Sequence, residues 1–103
     1  MPSAAIDVHT HILPPGWEDW AKRYGVSGWP SLRLHDACSA TIYLGEKEFR
    51  RIDERCFSPT RRIADMDAER IGLQMISPVP VMLCYWGPPE ATDAFARMQN
   101  DFI

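Results

Sequence analysis

The sequence predicts an α/β fold built around a parallel strand–helix–strand unit, and three observations support this. A short apolar run, Ala4-Ala5-Ile6-Asp7-Val8, leads directly into His9-Thr10-His11. Farther along, Ser58-Pro59 opens a stretch with helical apolar spacing, and Leu73-Gln74-Met75-Ile76-Ser77 follows as an apolar strand closed by Pro78 and Pro80. Strand, crossover helix and strand in that order are the unit from which parallel sheets are made. The third observation is scale. A chain of 103 residues is one modest domain, yet its opening is that of a larger fold, so it reads as an incomplete enzyme.

Each element has a local cause. The first strand ends where Pro14-Pro15-Gly16 breaks the backbone. Trp17, Trp20, Ala21 and Tyr24 then fall at i, i+3, i+4 and i+7, which predicts a short amphipathic helix stopped by Gly25. From about 29 to 52 the apolar period shortens, with Leu32 and Leu34, Ile42 and Leu44, then Phe49, around a Gly45-Glu46 turn. That pattern predicts a small antiparallel excursion.

Ser58 is an N-cap with proline at the first helical position, and Ile63, Met66 and Ile71 mark one helix face up to Gly72. The strand at 73–77 is expected to be buried and to carry a functional loop at its C-terminal end. Pro88-Pro89 opens a last helix with Ala91, Ala94, Phe95, Met98 and Phe102 along one side. This helix is still running at Ile103, with no cap or glycine to end it.

Composition excludes several classes of function. The net charge of −3 and pI near 5.5 leave no basic field for a nucleic-acid backbone or an anionic membrane surface. Cys38, Cys56 and Cys84 are odd in number and lack Cys-x-x-Cys spacing, which argues against a disulfide framework or a thiolate zinc cluster. A reduced cytoplasmic compartment fits, and no export signal is visible at the N-terminus.

The chemistry centres on His9 and His11. Side chains two residues apart on a strand point to the same side, so the pair is half of a metal site. His-x-His arises readily by chance, but here it sits where a strand hands over to a Pro-rich loop, the face that builds active sites in parallel α/β proteins. Asp7 shares that face on a regular strand, where it either orients an imidazole or is held by backbone or serine donors. His35, alone among polar neighbours, reads as a surface residue.

The arginines from Arg50 to Arg62, interleaved with Asp53 and Glu54, read as a solvated, salt-bridged face. Within it Arg50 and Arg51 point to opposite sides of an extended segment, so one could turn inward and grip a carboxylate with both nitrogens. Spacing does not choose between them. The tryptophans read as packing residues, as on balance do Tyr85-Trp86, although these stand in a loop that reaches over the site. There is no Gly-rich phosphate loop and no recognisable nucleophile context.

Taken together, Ile6-Asp7-Val8-His9-Thr10-His11-Ile12-Leu13-Pro14, Phe49-Arg50, Met66-Asp67, Pro78-Val79-Pro80-Val81-Met82 and Tyr85-Trp86 resemble the amidohydrolase superfamily and, within it, the 2-amino-3-carboxymuconate-6-semialdehyde decarboxylase family. The likeness runs from about Ala5 to Ile103 and covers only the first part of a family protein. It implies that the fold is the N-terminal part of a (β/α)₈ TIM barrel, with the antiparallel β insertion following the first strand. It also implies one zinc ion (Zn2+) and a non-oxidative decarboxylation in tryptophan and kynurenine catabolism.

His9 and His11 match the family's two first-strand zinc ligands, and Arg50 matches the arginine that holds a substrate carboxylate. The remaining ligands and the catalytic histidine of the family come from later strands, and another arginine comes from a neighbouring subunit of a homodimer. None of these has a counterpart here, so the isolated chain is expected to be inactive and to bind metal weakly. A barrel needs roughly 250 residues. Two other readings fit the same residues: a relative acting on aromatic acids by decarboxylation or hydrolysis, and a truncated, non-catalytic product.

Overall fold

The computed structural model describes residues 5–103. Ala4, with which the first apolar run begins, lies outside the described residues. The elements are β1 (Ala5–Ile12), α1 (Trp20–Tyr24), β2 (Pro30–Leu34), β3 (Ser39–Leu44), β4 (Lys47–Asp53), α2 (Pro59–Glu69), β5 (Ile71–Pro78) and α3 (Pro89–Phe102). Short 3₁₀ turns at Glu54–Cys56 and Pro80–Met82 join β4 to α2 and β5 to α3.

Strands β1 and β5 pair in parallel, with α2 completing the crossover, and β2-β3-β4 form a separate antiparallel sheet between them in sequence. The fold is therefore mixed α/β. Its largest dimension is 54 Å and its radius of gyration 15.2 Å, against about 13 Å for a compact domain of this length. No helix among the described residues is long and apolar enough to cross a membrane.

Several element boundaries differ from those the pattern predicts, each for a local reason. β1 continues through the histidines to Ile12, because Thr10, His11 and Ile12 pair with Ile76, Ser77 and Pro78. The pair thus stands on the strand, as the alternation argument requires. α1 begins at Trp20, not Trp17: the Asp19 carboxylate accepts the Lys22 backbone N–H and sets the first turn there. Trp17 stays outside the helix and donates its indole N–H to the Pro30 carbonyl at 2.9 Å. Gly25 does end α1, in the left-handed conformation with φ 70°.

Ser58 caps α2 through the Arg61 N–H at 3.2 Å. The helix is closed by Arg70 at φ 58° rather than by Gly72, so Ile71 and Gly72 belong to β5. The helix face marked by Ile63 and Met66 is open. Together with Ile12, Leu73, Ile76 and Phe102 it lines a cleft of about 330 Å³. The strand expected to be buried is also open, since Ile6, Val8, Leu73 and Met75 are each more than half exposed. Parallel sheets normally have both faces covered.

The packed core lies elsewhere. Trp20, Trp29, Met82, Cys84, Ala91 and Phe95 gather where α1, the start of β2, the loop after β5 and α3 converge. Phe95 is its centre, with the rings of Trp17, Trp20 and Trp29 at 5.9, 5.0 and 5.4 Å, all near edge-to-face. Gln99 ties α3 to the preceding turn by donating to the Met82 carbonyl at 3.0 Å. Gly87 is demanded by closeness: a Cβ there would lie 2.7 Å from the Trp29 ring and 2.9 Å from Thr92 Oγ1. Trp86 packs one face on Trp29 at 4.8 Å yet stays more than half exposed, and Tyr85 is exposed as well.

Removing the ring at the centre of this cluster should be costly. Phe95→Ala is expected to lower the unfolding free energy by about 3–5 kcal/mol, the usual cost of emptying a buried aromatic site, measured by urea denaturation followed through tryptophan fluorescence.

Candidate metal centre

His9 and His11 project from the same side of β1, as alternation along a strand requires. Their Nε2 atoms lie 3.2 Å apart and the rings stand perpendicular, with centroids 5.0 Å apart. Two imidazole nitrogens bound tetrahedrally at the usual zinc–nitrogen length would be about 3.3 Å apart. The donor chemistry and spacing therefore suit a shared divalent cation. Among the described residues no cluster of three or more His, Cys, Asp or Glu joins them, whereas catalytic zinc sites usually take three protein ligands.

Neighbouring strands hold the pair. His11 sits opposite Ser77 on β5, and its Nδ1 lies 3.0 Å from Ser77 Oγ. Sequence reasoning missed Ser77; the available signal was that both residues stand near the C-terminal ends of two strands expected to pair. Asp7 does not reach an imidazole ring. Its Oδ1 accepts the His9 backbone N–H at 3.2 Å and its Oδ2 takes the Gln74 amide at 3.5 Å, beside a register shift between Asp7 and Thr10.

Arg62 departs from the solvated face expected of its stretch. Its Nη1 donates to Thr10 Oγ1 at 2.7 Å and to Gln74 Oε1 at 3.3 Å; its Nη2 donates to the carbonyls of His11 at 2.7 Å and Arg55 at 2.8 Å. One guanidinium thus joins α2 to both parallel strands and to the turn before the helix. Arg61 and Arg55 behave as expected, in exposed ion pairs with Glu54, Asp65 and Asp53.

Arg50 lies on β4 opposite Ile42, and Arg51 lies opposite Thr41. Both are exposed, and Arg50 rests against the Phe49 ring at 5.5 Å. They line one open depression with Ser39, Asp53 and Cys56, and neither imidazole lines it. The structure therefore brings the histidines together and leaves Arg50 apart from them. His35 is exposed and its Nε2 contacts Thr41 Oγ1 at 2.6 Å, away from the pair.

Among the described residues all three thiols are held above their ordinary pKa. Burial pushes the Cys84 thiol up to about 11. Glu54 raises Cys38, and burial raises Cys56. Asp53, at the N-cap of the 3₁₀ turn, is held down to about 2 by hydrogen bonds from Arg55.

No family model matches the chain. It is similar to proteins named 2-amino-3-carboxymuconate-6-semialdehyde decarboxylase from three organisms. The Dictyostelium discoideum protein is 41% identical over 101 residues, which is 98% of this chain and 28% of that protein. The Caenorhabditis elegans protein is 36% identical over 99 residues, 96% of this chain and 25% of that protein. Over nearly its whole length the chain is similar to these two decarboxylases. The Sus scrofa protein is 44% identical over 50 residues, 48% of this chain and 36% of that protein. The chain thus spans about a quarter of the length of the first two decarboxylases it matches.

Two predictions follow from this geometry. Arg62→Met should destabilise the fold by about 1–3 kcal/mol, because three part-buried acceptors and one exposed acceptor lose a charged donor, while Arg61→Ala leaves the urea midpoint nearly unchanged. Asp53 has a folded pKa below its ordinary 3.8, so its stabilising contribution is complete above that value and is lost as pH falls toward about 2. Asp53→Asn should flatten the stability profile across that window in acid titrations of the unfolding midpoint.

Proposed function

We propose that this chain is the N-terminal portion of a zinc-dependent decarboxylase that acts on 2-amino-3-carboxymuconate 6-semialdehyde in tryptophan and kynurenine catabolism. The observation that carries the reading is the 3.2 Å approach of the two Nε2 atoms on one side of β1, in a chain similar to proteins named for that reaction. His9 and His11 would hold the ion, and a zinc ion bound there supplies Lewis acidity.

In this reading the rest of a (β/α)₈ barrel supplies further ligands and the acid–base group. Arg50 binds a substrate carboxylate through paired charge-assisted hydrogen bonds, and a barrel closed around β1 would have to bring it and the imidazoles to one substrate. The bond to the departing carboxylate breaks, its electron pair passes into the conjugated semialdehyde skeleton, and a proton takes the place of carbon dioxide. The reaction is redox-neutral. A homodimer supplies the second arginine that the family resemblance implies.

The test uses the open reading frame that encodes this chain, read on to the length of its relatives. The purified product should consume the semialdehyde and release one carbon dioxide per turnover, and chelation should abolish this activity. His9→Ala or His11→Ala should lower kcat/KM by at least about a hundredfold, with parallel loss of bound zinc by elemental analysis. Arg50→Met should lower kcat/KM by roughly tenfold to a hundredfold, the worth of one or two charged hydrogen bonds. Turnover of hydroxylated aromatic acids alone would reject the substrate assignment.

A further inference from the structure

The contacts around His11 favour one position for its proton. Ser77 has a single hydroxyl proton to give. Its Oγ lies 3.4 Å from the Thr10 carbonyl oxygen and 3.0 Å from His11 Nδ1. The carbonyl can only accept, so both contacts are hydrogen bonds at once only when the hydroxyl proton goes to the carbonyl and an oxygen lone pair of Ser77 faces Nδ1. In that arrangement Nδ1 is the donor. A neutral imidazole carries one such proton, so His11 Nε2 is left with its lone pair directed toward His9 Nε2, 3.2 Å away.

We propose that Ser77 is a positioning residue that fixes His11 in its Nδ1–H tautomer and so presets Nε2 as a ligand atom. The backbone supports this arrangement on the other side: Arg62 holds the Thr10 hydroxyl and the His11 carbonyl, each at 2.7 Å. A hydroxyl thus does what a carboxylate or carbonyl commonly does for a metal-binding histidine, holding the far ring nitrogen and raising the basicity of the near one.

The two imidazoles are then unequal. Without a cation, His9 Nε2 carries the proton shared with His11; with one, that proton moves to His9 Nδ1 while His11 keeps its tautomer. Use of the preset lone pair by a divalent cation rests on the metal reading above, but the tautomer itself does not.

The experiment is long-range proton–nitrogen NMR on the chain labelled with ¹⁵N-histidine, in mildly alkaline buffer. Wild type and Ser77→Thr, which keeps the hydroxyl, should show His11 as Nδ1–H. Ser77→Val, which is isosteric with that threonine variant but lacks the hydroxyl, should shift His11 toward Nε2–H. His11 found as Nε2–H in the wild type, a measurement that needs no variant, would overturn the proposal, as would an unchanged tautomer in Ser77→Val.

Zinc chloride titrated into the same samples should move both Nε2 resonances and leave the His11 Nδ1 proton in place, with apparent affinity weakened about 10–100-fold in Ser77→Val and restored in Ser77→Thr. A wild-type Nδ1–H tautomer, lost in Ser77→Val, with no response to zinc would support Ser77 and count against the metal reading.

Discussion

The parallel pairing of β1 with β5 is the constraint on which the site depends. It runs from Ala5 opposite Ile71 to Ile12 opposite Pro78, interrupted by a register shift next to His9. Two strands alone hold register weakly, because each lacks a neighbour on its outer edge. Arg62 supplies the missing restraint from α2, gripping Thr10 and His11 on one strand and Gln74 on the other. A lysine could not do the same, since it lacks a planar fork able to serve acceptors in several directions.

The packed core and the histidine pair occupy different parts of the molecule. The aromatic cluster around Phe95 draws on α1, β2, the loop after β5 and α3, and none of its members stands on β1 or β5. The parallel pair instead exposes Ile6, Val8, Leu73 and Met75. With about 25 cal/mol recovered per Å² of apolar surface buried, such a surface favours association with whatever can cover it.

Local signals in the sequence were strong where a single side chain decides a backbone conformation. Ser58 ahead of proline, Gly25 in its left-handed cap and the Gly45 turn at φ 62° all act within a few residues, and each is visible in the chain order. The common orientation of His9 and His11 follows from strand alternation alone. Boundaries were harder, because Asp19 outcompetes the Trp17 periodicity and Arg70 takes a conformation usually left to glycine or asparagine. Arg62 and Ser77 were not legible, since their roles depend on partners 52 and 66 residues away. Nothing in a run of arginines distinguishes the one that turns inward from the ones that meet solvent.

The position of Arg50 carries the same argument one step further. Its strand hydrogen-bonds only to β3, and the β2-β3-β4 sheet makes no strand pairing with β1 or β5. The sheet is anchored to β1 at one end by the Leu13 N–H bond to the Cys56 carbonyl at 3.0 Å. A residue carried on such an arm reaches a site on β1 only when other surfaces fix the arm's angle. The two imidazoles need only their own strand and its neighbour. The approach of the two imidazoles is therefore set within β1 and β5, whereas the placement of Arg50 depends on contacts made around the antiparallel arm.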